Sequence, residues 1–385
     1  MSRHLSVFMI AGEPSGDVLG ARLMASLREL TGGAIEITGV GGEMMHEQGL
    51  ESLFPMSELS VMGVAEILPH LPGLLHRIKQ TAEAVDRAAP DALITIDSPD
   101  FTRRVARRLK NRSIPRIHYV APTVWAWRPW RAKGFARDFT HLLALLPFEP
   151  PWFEKVGLPC SFVGHPVLES GADKGDGPAF RQRHGIGVDD RLICVLPGSR
   201  RGEVGRLAND FGKALAILSE RHPGMRVVVP TIGAIAPMVR EVVADWSGSP
   251  IIVQGAAERY DAMAAANAAL AASGTVSLEL ALARLPTVIA YRMAPLTHFL
   301  VRRLVNIDYA SLVNIIEGRE VVPELLQQDC RPDRLAAALE KMLGPEGAAQ
   351  IKAVQPALAQ LGLGGEPPGR RAAQAVLDIL GSSGT

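Results

Sequence analysis

The stretch Ala268-Ala269-Leu270-Ala271-Ala272-Ser273-Gly274-Thr275-Val276-Ser277-Leu278-Glu279 decides the fold. Its small apolar run suits a strand buried on both faces, and Ser-Gly-Thr then breaks it into an alanine- and leucine-rich helix. A strand that turns straight into a helix presents backbone N–H groups at the helix N-terminus, a site for an anion such as a diphosphate. Gly274 lets the backbone come close to that anion, and Thr275 is placed to cap the helix. Glu279 lies one turn in, where a carboxylate can accept hydrogen bonds from ribose hydroxyls. An ordinary capped helix with a surface glutamate reads the same way, so the surrounding chain has to separate the two.

The same strand–turn–helix pattern recurs on both sides of this segment. Strands are expected at Leu5–Ala11, Ile35–Val40, Ala92–Asp97, Ile117–Val120 and Leu142–Leu146, then at Leu192–Leu196, Met225–Val229, Ile251–Val253, Ala268–Ala272 and Thr287–Ala290. Helices fit Val18–Leu30, the basic Phe101–Lys110 and Gly202–Arg221. The Gly/Asp-rich stretch Gly164–Gly187 reads as a linker, and Gly362–Gly369 separates a last helix, Arg371–Leu380. Alternation of this kind predicts an α/β protein with two doubly wound parallel-sheet, Rossmann-like domains facing a cleft. The expected boundaries are 1–170, 188–345 and a C-terminal helical segment 346–385 that crosses back to the first domain or reaches a partner subunit. Ligands in such sheets bind outside the carboxyl ends of the strands.

Composition removes several classes. The chain has 385 residues, 47% hydrophobic and 21% charged, with a net charge of +1. That is long enough for two cores and gives no electrostatic case for nucleic acid. Cys160, Cys194 and Cys330 are scattered, which fits neither zinc nor a disulfide framework and points to a reducing compartment. No ligand-type spacing joins the histidines, so neither a metal nor another cofactor is expected. The apolar Leu5–Ala11 runs at once into Glu13 and Asp17, which reads as a first strand and not a signal peptide. No window reaches about 18 uninterrupted apolar residues, the length needed to span a membrane.

Chemistry-bearing residues fall in the loops at strand ends. Gly12-Glu13-Pro14-Ser15-Gly16-Asp17 matches neither the dinucleotide fingerprint nor the P-loop, and a turn with Asp17 as helix cap is its plainest reading. Asp97 ends a strand, where a general base must stand to face a cleft; Asp100 is better placed to cap the next helix. Leu196-Pro197-Gly198-Ser199-Arg200 is again strand, tight turn and a basic residue at a helix start. Arg200 can hold a phosphate through paired hydrogen bonds and neutralise a leaving group. With Ser273-Gly274-Thr275 in the same half, it makes a nucleotide diphosphate site plausible.

Two further stretches suit an amphiphile. Val61–Leu75 is apolar, and Pro69 and Pro72 argue against a long helix there. Arg103, Arg104, Arg107, Arg108, Lys110 and Arg112 crowd one helix, and Arg302 and Arg303 recur later. Apolar residues beside basic ones suit an anionic membrane surface, although a core segment and a solvated face explain them equally. Trp125, Trp127 and Trp130 form a cluster that can stack on sugar or fill a core.

These residues stand in an ordered series. It runs A-G-E-P-S-G-D from Ala11, V-M-G-V-A-E from Val61, I-D-S-P-D-F from Ile96 and H-Y-V-A-P-T-V-W-A-W from His118. It continues with L-P-F-E from Leu146, F-V-G-H-P from Phe162, L-P-G-S-R from Leu196, A-S-G-T from Ala272 and Y-R-M from Tyr291. Asp308–Asn314, Glu317–Arg319 and Val322–Gln327 close it. The series resembles the lipid-A-disaccharide synthase family, inverting glycosyltransferases of the two-Rossmann-domain (GT-B) type. One departure is Glu43-Met44-Met45 after Gly41-Gly42, where the family commonly shows Pro-Arg-Met, so any contact of that basic residue is in doubt.

The resemblance implies UDP-2,3-diacylglucosamine as donor and 2,3-diacylglucosamine 1-phosphate as acceptor. The products would be a β(1→6)-linked lipid A disaccharide 1-phosphate and UDP. It implies Asp97 as base and Arg200 as the group that stabilises the departing diphosphate. Ser199, Arg200, Ser273, Gly274, Thr275, Glu279, Asn314 and Gln327 would serve the nucleotide sugar. Glu13, Ser15, Trp127, Met62 and Ile67 would serve the acceptor. It also implies a place at the cytoplasmic face of the inner membrane, and leaves a homodimer open. Two alternatives stand beside it: another UDP-sugar enzyme of this fold (a UDP-N-acetylglucosamine 2-epimerase or the peptidoglycan N-acetylglucosaminyltransferase), or a non-catalytic nucleotide-sugar or lipid-binding protein.

Overall fold

Along the first strand, Val7 and Met9 pack into one hydrophobic cluster while Phe8 and Ile10 pack into another. That two-residue alternation, with both faces buried, dictates a sheet covered by helices on each side. The computed structural model describes residues 4–59, 64–111, 113–272, 274, 276–293 and 308–382, and for 64–71 the backbone alone. It divides into two units, Met1–Pro166 with Gly364–Thr385, and Val167–Leu363.

The first unit holds β1 (Leu5–Ala11), β2 (Ile35–Val40), β3 (Ala92–Ile96), β4 (Arg116–Tyr119), β5 (His141–Ala144) and β6 (Cys160–Phe162). All pair in parallel, in the order β2-β1-β3-β4-β5-β6. The second holds β7 (Leu192–Leu196), β8 (Arg226–Thr231), β9 (Ile251–Gln254), β10 (Ala268–Ala272), β11 (Thr287–Tyr291) and β12 (Glu324–Leu326). These are also parallel, in the order β12-β11-β10-β7-β8-β9. Chain direction across the sheet therefore reverses between β1 and β3 in one unit and between β7 and β10 in the other. Those reversals are where open α/β sheets leave a crevice at the carboxyl ends of their strands.

The doubly wound α/β architecture expected from the sequence is present, with several local corrections. β6 and β12 were not foreseen: each is a three-residue edge strand, too short to show an alternating pattern. The region expected to be a linker is folded instead. Its helix Gly177–Arg183 is tied to the helix Ala256–Ala265 by Arg183 Nη2 on Asp261 (2.8 Å) and by Arg181 Nη2 on Ala265 O (2.7 Å). The first unit accordingly ends at Pro166 and the second begins at Val167. A single helix, Val64–Ala88, runs through Pro69 and Pro72, against the expectation that prolines break it. The prolines cost backbone hydrogen bonds, but Ile78, Ala82 and Val85 anchor the following turns in the core with Phe101 and Val105.

The C-terminal segment is shared out. Gln350, in the helix Pro345–Ala353, grips Thr287 of β11 through N (2.7 Å) and O (3.0 Å), so this helix stays with the second unit. The helix Pro368–Ser382 belongs to the first. Ala372, Ala373 and Val376 are fully buried with Leu23, Met24 and Leu27 of the helix Pro14–Leu30, and Arg371 Nη2 donates to Phe162 O (3.1 Å).

Candidate active site

In the first unit Ala11 lies opposite Ile96, so the loops leaving β1 and β3 emerge side by side. Their approach is tight enough that a Cβ on Gly12 would stand 2.6 Å from Ser98 Cβ and Oγ, a contact only glycine permits. Asp97 and Ser98 both take left-handed backbone, with φ of 54° and 45°. Such conformations cost roughly 1–3 kcal/mol each outside glycine and cluster at functional sites. Asp97 Oδ1 accepts from Ser98 N at 2.8 Å, and Oδ2 accepts from Ser15 Oγ at 3.3 Å. Burial raises the Glu13 carboxyl above its ordinary value, and the Asp97 charge raises it further. The loops thus place two carboxylates and a hydroxyl together, which is chemistry for taking a proton from an alcohol.

Two capping expectations change. Asp17 does not cap its own helix: it is buried, and its carboxylate accepts from Gly42 N (2.7 Å), Met44 N (2.9 Å) and Met45 N (3.1 Å), which caps the helix Glu43–Glu47. Asp100, whose side chain is 92% exposed, makes no cap; Ser98 holds that position for the helix Pro99–Arg108. Nor is that basic helix a uniformly solvated face. Arg103 Nε and Arg107 Nε both bind the buried Asp138 at 2.7 Å, while Arg104, Arg108 and Lys110 are exposed.

The tryptophan loop is fixed by the last residue of L-P-F-E, Glu149, which had no role of its own in the sequence reading. Glu149 is 2% exposed and accepts from Trp125 Nε1 (3.1 Å), Leu145 N (3.1 Å) and Leu146 N (3.0 Å). Burial pushes its carboxyl up to about 7 against the pull of those three bonds. Trp127 is half-buried, and the Arg128 guanidinium lies 4.2 Å from its ring centre.

In the second unit a cavity of about 660 Å³ opens at the carboxyl ends of β7, β8, β9 and β10. Gly198, Ser199, Arg200 and Glu203 line it after β7, Thr231–Gly233 after β8, Gly255, Ala256 and Arg259 after β9, and Gly274, Val276 and Glu279 after β10. Its size suits a ligand the size of a nucleotide. Glu203, buried, ties the first of these loops. It accepts from Ser199 N (3.1 Å), Arg200 N (3.3 Å) and Arg200 Nη1 (3.2 Å). Gly198, at φ 118°, is required because a Cβ there would lie 2.7 Å from Glu203 Cβ. The Ser199 and Arg200 N–H groups are therefore committed to Glu203, while Ser199 still lines the cavity and the Arg200 side chain, 71% exposed, can meet a phosphate.

Opposite, Glu279 Oε1 accepts from Arg259 Nη2 (3.1 Å) and Tyr260 OH (3.3 Å). Burial raises the Glu279 carboxyl, opposed by the Arg259 charge and the Tyr260 bond. The sequence reading missed Arg259. Its signal was available: Gly255 follows a strand and opens a helix, and Arg259 stands one turn in, as Glu279 does after β10.

The remaining expected residues do not all join these sites. Asn314 does not line the cavity. It is fully buried, donates to Val322 O (2.7 Å) and Glu324 Oε1 (2.7 Å), and accepts from Val321 N and Val322 N (both 2.8 Å). Every polar valence of its amide is used on that loop, so a contact to sugar or phosphate is not available to it. Gln327, at φ 52°, accepts from Met293 N (3.3 Å) at the end of β12 and likewise does not line the cavity. Ser273, Thr275 and Met62, and the side chains of Ile67 and Leu71, lie outside the described residues, as do Arg112, Arg302 and Arg303.

Two parallel Rossmann-like sheets, each with a polar loop cluster at its own reversal point, are the fold found in GT-B glycosyltransferases and UDP-sugar epimerases. Solved structures of that class share the fold. A UDP-GlcNAc 2-epimerase from Neisseria meningitidis bound to UDP-GlcNAc aligns over 98% of this chain and 99% of its own, with a TM-score of 0.59 at 12% identity. A glycosyltransferase from Rickettsia africae aligns over 100% and 99%, with a TM-score of 0.61 at 11% identity. The family model described as lipid-A-disaccharide synthetase matches residues 7–365. The lipid-A-disaccharide synthase of Rhodospirillum centenum is 58% identical over 98% of this chain and 95% of its own length. The chain belongs to the lipid-A-disaccharide synthase family.

Proposed function

We propose that this chain transfers 2,3-diacylglucosamine from its UDP derivative to the 6-hydroxyl of 2,3-diacylglucosamine 1-phosphate, in lipid A biosynthesis. The observation that carries the reading is Asp97 within a chain of this family: a carboxylate in left-handed backbone at the end of β3, held by Ser15. Asp97 takes the proton of the acceptor hydroxyl as its oxygen attacks the anomeric carbon. The bond from that carbon to the diphosphate breaks, the configuration inverts to β, and UDP leaves. Arg200 balances the charge that grows on the departing diphosphate, in the cavity that Gly274 also lines. Glu279 receives the ribose hydroxyls, and Glu13, Ser15 and Trp127 shape the acceptor side.

The acylated substrates also argue for work at an anionic membrane surface, on the cytoplasmic face of the inner membrane. Among the described residues no helix is long and apolar enough to cross a membrane. We place peripheral contact on the segment around Met62, Ile67 and Leu71, with exposed charges from Arg104, Arg108 and Lys110, on or just after the helix Pro99–Arg108 that packs against the later turns of Val64–Ala88. Basic residues near such a surface contribute about 1 kcal/mol each. Changing Met62, Ile67 and Leu71 together to serine lowers binding to phosphatidylglycerol vesicles and raises the KM for acceptor on this account. Full vesicle binding by the folded variant places the contact elsewhere.

The reading is tested by supplying the UDP-linked diacylated sugar with and without the acceptor. Acceptor-dependent release of UDP together with a disaccharide product supports it. Acceptor-independent inversion at C2 with UDP still attached supports the epimerase alternative, and UDP release that ignores the acceptor contradicts the transfer.

A further inference from the structure

Arg259 and Tyr260 are consecutive residues of one helix, and both turn a donor onto the same oxygen of Glu279, which stands on another. Arg259 Nη2 lies 3.1 Å and Tyr260 OH 3.3 Å from Glu279 Oε1, and Arg259 Nη2 also lies 2.7 Å from Tyr260 OH. The group is held from below. Tyr260 is 8% exposed, and the Arg259 guanidinium stacks 4.7 Å from its ring centre. Among the described residues the hydrogen bonds of the carboxylate fall on Oε1, and Glu279 and Arg259 both line the cavity. Arg259 Nε, buried, has no partner among the described residues. A carboxylate clamped through one oxygen by a cation and a phenol is fixed in orientation, and neither of those donors occupies its second oxygen. Two donors on Oε1 also keep the carboxylate an acceptor, since a protonated acid would compete with them for that oxygen.

We infer that Arg259 and Tyr260 are positioning residues that hold Glu279 Oε2 as the acceptor for a ribose hydroxyl, so that this pair sets the preference of the cavity for ribonucleotides. The inference rests on the nucleotide reading of the cavity and deepens it. It separates two jobs that cations in the same cavity perform: Arg200, 71% exposed, meets the diphosphate, whereas Arg259, 31% exposed, acts through the glutamate. A ligand without ribose hydroxyls loses a charge-assisted hydrogen bond and leaves Glu279 Oε2 desolvated. By the usual strength of such bonds that is a loss of roughly 10- to 100-fold in affinity.

The experiment is isothermal calorimetry on the full chain with UDP and with 2′,3′-dideoxy-UDP. The unaltered protein is expected to bind UDP roughly 10- to 100-fold more tightly than the dideoxy analogue. Arg259→Met should bring that ratio to within about threefold of unity, mainly through weaker UDP binding, and Tyr260→Phe should reduce it part of the way. Arg200→Ala should weaken both ligands alike and leave the ratio unchanged. A pure phosphate contact or a general loss of fold at Arg259 would lower both affinities together and keep the ratio, which overturns the inference. If Arg259→Met does not fold, Tyr260→Phe and Arg259→Lys carry the same readout, and an unchanged ratio in both overturns it. Equal binding of the two ligands by the unaltered protein also overturns it. Failure of the unaltered protein to bind UDP at all overturns the nucleotide reading instead, so the two failures are told apart.

Discussion

The reversal point of the first sheet and that of the second share one strand topology and carry opposite chemistry. Between β1 and β3 stand Glu13, Ser15 and Asp97, an acidic cluster in which burial and mutual repulsion hold Glu13 above its ordinary pKa. Between β7 and β10 stand Arg200, Arg259 and Glu279 around a cavity, with the carboxylate answered by a guanidinium. A parallel sheet supplies the crevice in both cases, but it does not choose the charge. The loops do that: a glycine-tight turn into left-handed aspartate in one, and a glutamate-tied turn ending in arginine in the other. That difference is the reason for proposing a base in the first crevice and an anion site in the second.

The largest effect expected from this contrast is on turnover. Asp97→Asn keeps the shape of its turn and removes the base, so steady-state rates should fall by about 10²–10⁴. A variant with near-normal turnover breaks the assignment of the first crevice. Next is Asn314→Ala, which strips four hydrogen bonds from a buried loop of the second unit. Its unfolding free energy should drop by about 3 kcal/mol, with the UDP affinity of the folded fraction nearly unchanged. Selective loss of UDP binding without loss of stability would restore Asn314 to the site. Arg200→Ala should weaken UDP binding roughly 10- to 100-fold by calorimetry, the worth of a charge-assisted phosphate contact. Unaltered affinity would move the diphosphate away from the loop after β7.

The smallest effect, taken per pH unit, is a pH dependence of stability from Glu149, whose folded carboxyl sits at about 7 against an ordinary 4.5. Because the folded pKa is the higher one, the folded state binds the extra proton between those values. The contribution to stability is complete below pH 4.5 and is lost as the pH rises through 7. The stability of the unaltered protein minus that of Glu149→Gln should therefore decline across this window by about 1 kcal/mol per pH unit and level off above it. A difference that stays flat with pH contradicts the burial argument and makes Glu149 an ordinary ionised partner of Trp125.

Much of the frame was legible because burial on both faces writes itself as uninterrupted apolar runs. Leu192–Leu196 and Ala268–Ala272 are such runs and have the limits read from the residues alone; Leu5–Ala11, broken by Ser6, and the edge strand Ile35–Val40, with Glu36 exposed, keep theirs as well. The three-residue strands Cys160–Phe162 and Glu324–Leu326 carry no such run and were missed. Pro69 and Pro72 misled because tertiary anchoring of Ile78, Ala82 and Val85 outweighs a local preference. In the candidate site, Asp97, Arg200, Gly274 and Glu279 were readable from their places after strands. Asn314 was not, because an amide in a polar motif looks the same whether it faces a ligand or saturates a buried loop. Arg259 and Glu149 were hidden for a related reason: their roles lie in partners distant in sequence, Glu279 and Trp125.

The contrast between the two crevices is tested most directly by the equilibrium affinity of Asp97→Asn for UDP. If the first unit supplies the base and the second alone holds the nucleotide, calorimetry returns the affinity of the unaltered protein within about twofold while turnover is lost. A UDP affinity that falls in step with turnover would contradict the account and make Asp97 part of the nucleotide site.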